Sequence, residues 1–380
     1  MRAHRSLLES GVLTRRELLG LGALALGAAA CGGSTGSGGG TSATTSAPSL
    51  AGKKIEDTLR YYNWGQYVNP VDVKAYEKKF GVSFRETNYT SNEELLTKLT
   101  TTRGQKVYDI IVPDGDHVRI EKNLGLLMKL DHSLIPNLKN LDPYWRNLPY
   151  DPGNEYSVMK DTGLTVFTLR TDRVNADLRS WKDFFDFLPH AGDLNVNFFE
   201  SPGEMVGIAL QALGFSMNSE SDSELNQARD LLLKVRPYVD TINYNYIDDF
   251  ISGKIDLGTT YSGDGIRIRT GRSKQGDIKV VPPERSEIWT DNWAISAYAP
   301  DPVAAHAWIN FMLDPKVNAQ EMEYVQYAVG TPASYPLVGA AAKDPLVVFP
   351  KSLIKDYEFL RTTPDGLNKR TAIWAEFKGG

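Results

Sequence analysis

The chain has 380 residues, of which 23% are charged, and a formal net charge of −5. No block of Lys and Arg is dense enough to follow a nucleic-acid backbone, so a nucleic-acid partner is not expected. The length exceeds what one hydrophobic core usually accommodates, which predicts two domains, and a single cysteine, Cys31, excludes an intrachain disulfide framework.

Arg15 and Arg16 precede an apolar run of 13 residues from Leu18 to Ala30, followed by Cys31 and a tract of Gly, Ser and Thr. Spanning a bilayer takes roughly 20 residues, so the run is too short to cross. A twin-arginine region, a short apolar segment, small residues and then a cysteine are similar to a bacterial Tat lipoprotein signal. Residues 1–30 are expected to be that signal, Cys31 the lipidated residue that tethers the protein to the outer face of the membrane, and residues 31–52 a flexible linker. The position three before Cys31 is Ala28 where such signals usually carry Leu. Without Arg2, Arg5, Arg15, Arg16, Glu9 and Glu17 the remainder carries −7.

Beyond the linker, strand-like and helix-like stretches alternate. TLRYYNW (58–64) reads as a strand, VDVKAYEKKF (71–80) as a helix after Asn69-Pro70, and VSFRETN (82–88) as a second strand. Ser91 to Glu94 has capping-box spacing and opens a helix to about Thr102. YDIIVP (108–113) is the near-continuous apolar run of a parallel strand buried on both faces. VNFFES (196–201), helices from about Met205 and near 223–236, and IDLGTTYSG (255–263) repeat the pattern. The alternation predicts an α/β architecture of two lobes with a cleft between them, each lobe a mostly parallel sheet flanked by helices.

Aromatic and acidic residues cluster just past the predicted strands, where open α/β sheets bind ligands. Trp64 and Tyr67 follow the first strand, Asp114 and Asp116 follow YDIIVP, and Glu204 follows VNFFES. Tyr261 and Asp264 stand in YSGD, and Trp289 and Asp291 in IWTDNW. Aromatic faces attract cations and bury methylenes, and carboxylates in a closed cleft need cationic partners. A ligand with ammonium ends joined by an aliphatic chain, a polyamine, meets all three demands. Simpler roles compete at each position: Trp64 as core or loop, Asp114, Asp116 and Asp264 as turn residues, and Glu204 as a helix cap. Asp291 between two tryptophans is the hardest to explain structurally.

Catalytic motifs fare poorly. The five histidines, His4, His117, His132, His190 and His306, have no metal-ligand spacing. GGSTG (32–36) follows no strand, and GLGALA (20–25) lies in the expected signal, so neither is a nucleophile elbow or a dinucleotide fingerprint. A glycosidase pair among Glu204, Asp264 and Asp291 stays open as a minor alternative. No metal and no cofactor are expected.

YNWGQYV, VYDIIVP, NLDPYW, LLLKVRPY, YSGD and IWTDNWAIS, in this order, resemble the bacterial spermidine/putrescine-binding proteins of polyamine ABC importers. The resemblance covers about residues 57–380. It implies a two-lobed periplasmic-binding-protein fold of the second type, crossed twice by the chain, near Ser157–Thr162 and Glu287–Asp291. The implied lobes are 53–158 with 291–332, and 159–290 with 333–380. By the same resemblance the protein is a monomer that closes over ligand by hinge motion and delivers it to a permease. Trp64, Tyr67, Glu204, Tyr261, Asp264, Trp289, Asp291 and Tyr327 match the family's ligand-binding positions, with Tyr261 in place of a tryptophan. Gly65-Gln66 lacks an expected acid, Asp114 replaces a serine, and Lys160-Asp161-Thr162-Gly163 introduces a cation where the family has Trp-Gly. Lys160 would either pair with Asp161 and leave the site unchanged, or select against multiply charged ligands; an organic acid, another cation or a metal complex are the alternative ligands.

Overall fold

The computed structural model describes residues 49–272, 277–350 and 352–379. The expected signal, Cys31 and the linker as far as residue 48 lie outside the described residues. Positions 49–52, expected to be linker, belong to a hairpin in which β1 (Ser49–Leu50) pairs with β2 (Lys53–Lys54). Its turn residues Ala51 and Gly52 both have positive φ, 48° and 79°, the handedness that closes a two-residue hairpin. Lys53 then pairs with Asp131 at 2.9 Å.

β3 (Thr58–Trp64) lies between β4 (Ser83–Tyr89) and β5 (Ile110–Ile111), parallel to both. α1 (Pro70–Phe80) connects β3 to β4, capped by the Asn69 side chain and stopped by Gly81 in the left-handed region. α2 (Asn92–Thr101) starts at Ser91, whose hydroxyl accepts from the Glu94 amide. The reciprocal half of the expected capping box differs: the Glu94 carboxylate takes the amide and hydroxyl of Thr90, one residue earlier. α3 (Gly115–Asn123) leaves β5 through its cap, Asp114.

The second lobe repeats the plan. β7 (Val196–Phe198) runs parallel to β8 (Thr241–Ile242) and β9 (Leu257–Tyr261). Around them stand α4 (Trp181–Phe187), α5 (Pro202–Ala212), α6 (Asp222–Val235), α7 (Tyr246–Ser252) and α8 (Ser262–Gly271). α5 is buried along its whole length, which is why its sequence, PGEMVGIALQA, is apolar apart from Glu204 and Gln211.

One strand serves both sheets. β6 (Ser157–Arg170) pairs through Ser157–Leu164 with β11 (Ile288–Ile295), then through Thr165–Leu169 with β9. β10 (Ile278–Val281) and β12 (Ala328–Val329) add to its flanks. The predicted parallel pairing therefore holds in the outer strands, while β6, β10, β11 and β12 pair antiparallel because β6 and β11 run back across the junction. α9 (Pro302–Met312) and α10 (Pro315–Val325) cover the first lobe, and α11 (Pro364–Gly379) packs Trp374 and Phe377 into the core of the second. Among the described residues no helix is long and apolar enough to cross a membrane.

Candidate functional site

All ten residues singled out in the sequence line one cleft, which encloses about 1110 Å³ including its solvent-open mouth. The strand ends deliver them. Trp64 closes β3, with its indole N–H donating to the Val112 carbonyl at 3.1 Å. Across the cleft its ring meets Tyr244 edge-on at 6.1 Å, and the Arg267 guanidinium donates to the Gln66 side chain at 2.9 Å, so the lobes touch.

The aromatic groups form a continuous wall. Tyr261 stacks on Phe199 at 4.5 Å and lies edge-on to Trp289 at 5.4 Å; Trp289 meets Tyr327 at 4.9 Å, and Tyr327 meets Tyr67 at 5.9 Å. Two glycines make this possible. A Cβ on Gly163, directly opposite Trp289 in the ladder, would run into the indole, and one on Gly263 would stand 2.6 Å from the Tyr327 ring. The glycine in the departing segment Lys160-Asp161-Thr162-Gly163 thus keeps its spatial purpose although the residue before it has changed.

The acids fall into two groups. Asp114 and Asp116 are committed to the fold. Asp114 caps α3, pairs with His117 at 3.0 Å and accepts from Asn92 at 2.7 Å; burial alone would raise its pKa, but His117 outweighs that and holds it low. Asp116 takes Arg119 at 2.6 Å together with the amide and hydroxyl of Thr362. Glu204, Asp264 and Asp291 are held mainly by uncharged donors. Ser201 caps α5, which frees the Glu204 carboxylate from capping; it accepts instead from the hydroxyls of Tyr261 at 3.0 Å and Tyr244 at 3.2 Å. Burial pushes Glu204 up to about 7, against those hydrogen bonds and with help from Asp114 and Glu93. Asp264 accepts from Tyr246 at 2.8 Å and has Arg267 at 3.5 Å; burial raises it too. Asp291 is driven well above the carboxylate range by burial and then by Asp161 and Asp114.

Lys160 does not reach the cleft. Its side chain is fully buried, 2.6 Å from Asp161 and 3.1 Å from Glu321, with the ammonium 3.7 Å from the centre of the Tyr67 ring. A β-bulge explains the geometry. Asp291 pairs with Asp161 and Asn292 with Met159, so Lys160 is skipped in the ladder and its side chain turns toward that of its neighbour. Of the two outcomes open to Lys160, pairing with Asp161 is the one observed.

Sequence reasoning missed Glu287, Tyr244, Tyr246 and Arg267, which also line the cleft. Glu287, Trp289 and Asp291 are spaced i, i+2, i+4, so strand alternation would have found Glu287. The two tyrosines follow β8, which at two residues leaves no readable pattern. In total the cleft lining carries Glu93, Asp114, Asp116, Glu204, Asp264, Glu287 and Asp291 against His117 and Arg267, a surplus of negative charge that suits a cationic solute. Among the described residues no group of His, Cys, Asp and Glu is arranged to hold a metal ion.

Two lobes joined by shared strands, with an aromatic and acidic cleft at the joint, define a solute-binding protein of the periplasmic-binding-protein type II fold. Residues 73–348 match the bacterial extracellular solute-binding protein family, and the chain belongs to it. It is 30% identical over 343 residues to the putrescine-binding periplasmic protein SpuD of Pseudomonas aeruginosa, covering 85% of this chain and 92% of that one. It is 31% identical over 349 residues to the spermidine/putrescine-binding periplasmic protein of Escherichia coli, covering 91% of each. The spermidine/putrescine ABC transporter substrate-binding protein PotD of Streptococcus pneumoniae superposes with a TM-score of 0.70 at 26% identity, over 85% of this chain and 99% of that one.

Proposed function

We propose that this protein captures a polyamine, putrescine or spermidine, in the interlobe cleft and delivers it to the permease of an ABC importer. The observation that carries the reading is the state of Glu204 and Asp291. Both are buried, both are pushed toward protonation, and among the described residues neither has a lysine or arginine as its hydrogen-bonding partner. An ammonium is the group that would restore their charge. Trp64, Tyr261 and Trp289 would wall the methylenes, with Tyr67 and Tyr327 completing the wall, while Glu204, Asp264 and Asp291 take the amines. Asp114 and Asp116 contribute field more than direct contact, since their oxygens are already occupied.

The protein is read as a monomer without cofactor or catalytic activity, held to the membrane by lipid on Cys31. Its lobes are taken as 53–158 with 291–332 and 159–290 with 333–380. Titration calorimetry with putrescine, spermidine, organic acids and sugars tests the ligand class: heat from the polyamines alone supports it, and heat confined to organic acids or sugars removes it. Radiolabelled palmitate retained by the wild type and lost in Cys31→Ser tests the tether.

A further inference from the structure

A second cavity, about 830 Å³ including its solvent-open part, adjoins the cleft and shares Asp114, Asp116, Glu287, Trp289 and Leu360 with it. Outside the shared residues its lining is mostly apolar, Leu148, Pro149, Ile288 and Phe359 with the ring of Tyr150, interrupted by Arg119, Thr290 and Arg361. Most polar groups there are satisfied within the protein. Asp116 is neutralised by Arg119, Asp114 by His117, and the Tyr150 hydroxyl lies 3.0 Å from Thr290 and 2.9 Å from the Asn292 side chain. Among the described residues Glu287 is the acid of this lining without a cationic partner. It stands at the junction of the two spaces, 4% exposed, and its carboxylate accepts from the Thr165 hydroxyl at 3.0 Å.

The cavity does not suit a second ammonium, because Arg119 and Arg361 are part of its lining. It suits hydrocarbon, where each methylene removed from water is worth roughly a fourfold gain in affinity. We infer that this cavity is a substituent pocket: the protein takes amines that carry an apolar N-substituent, with the nitrogen between Glu204 and Glu287 and the substituent against Leu148, Ile288 and Phe359. The inference rests on the polyamine reading of the main cleft.

Calorimetry with putrescine and N-butylputrescine tests it. The wild type is expected to bind N-butylputrescine at least tenfold more tightly than putrescine. Pro149 is exposed at the rim, so Pro149→Trp is expected to keep the fold, fill the pocket and abolish that gain while leaving putrescine affinity unchanged. Phe359→Ala, which widens the pocket, should reduce the gain without touching putrescine. A wild type that binds N-butylputrescine no more tightly than putrescine, or a gain that survives Pro149→Trp, overturns the inference alone. A protein that binds neither amine overturns the polyamine reading and this inference with it.

Discussion

Asp161 and Asp291 face each other as direct partners across β6 and β11, at the point where the two lobes share backbone. Like charges opposite one another destabilise an antiparallel pair. The two are treated differently: Asp161 has Lys160 at 2.6 Å and the Tyr67 hydroxyl, whereas Asp291 faces the cleft with neighbouring acids raising its pKa. The fold neutralises one carboxylate and leaves the other for a ligand.

Asp291→Asn should therefore separate binding from stability. Polyamine affinity is expected to fall by about 2–5 kcal/mol, the usual cost of truncating one member of a buried charge pair. The unliganded protein should melt no lower than wild type, since the change removes like-charge repulsion. Calorimetry and a thermal melt on the same preparation check both; wild-type affinity would falsify the central role of Asp291.

Lys160→Met should do the reverse. It strands Asp161 and Glu321 without a cation in a fully buried position, a loss of about 3–5 kcal/mol. The urea midpoint of the unliganded protein is the measurement, and an unchanged midpoint would show that the cluster contributes nothing net.

Tyr261→Phe keeps the aromatic face but removes the hydroxyl 3.0 Å from both Glu204 oxygens. A hydrogen bond to a charged group contributes about 1.5–3 kcal/mol, so polyamine affinity should drop at least tenfold. The pH at which binding is half-maximal should also move upward, because the carboxylate has lost a donor. Unchanged affinity with no movement of that midpoint would argue that the ring, not the hydroxyl, matters.

The pH dependence has a definite sign. Glu204 sits at about 7 in the folded protein against an ordinary 4.5, so the folded state holds its proton more tightly than the unfolded chain. Its contribution to unliganded stability is full below about 4.5 and is lost as pH rises through 7. Binding an ammonium works the other way, expelling the proton, so affinity should rise from pH 5.5 to 8. Calorimetry at pH 6 in buffers of different ionisation heat should register proton release, and a flat affinity with no exchange would contradict the assignment.

Much of this was legible before any coordinates. β3, α1 and α6 read clearly because their periodicity runs for seven residues or more. The strand-end rule found nine residues that do share one cleft, and the family resemblance added Tyr327. What escaped was set by short or irregular backbone. β8 has two residues, so the tyrosines after it carried no signal. The hairpin at Ser49–Lys54 hid in what looked like linker. The fate of Lys160 depended on a bulge, and a one-residue irregularity between strands distant in sequence leaves no mark on local pattern.

The continuity of β6 sets how the molecule can breathe. Because one unbroken strand of 14 residues is hydrogen-bonded into both sheets, the lobes have no loose strap there to swing on. Opening must be absorbed as torsion spread along a laddered ribbon, in the manner of a leaf spring. The bulge beside Asp161 is the one break in that ribbon's regular pairing with β11, and it lies next to the carboxylate of Asp291 that waits for a ligand.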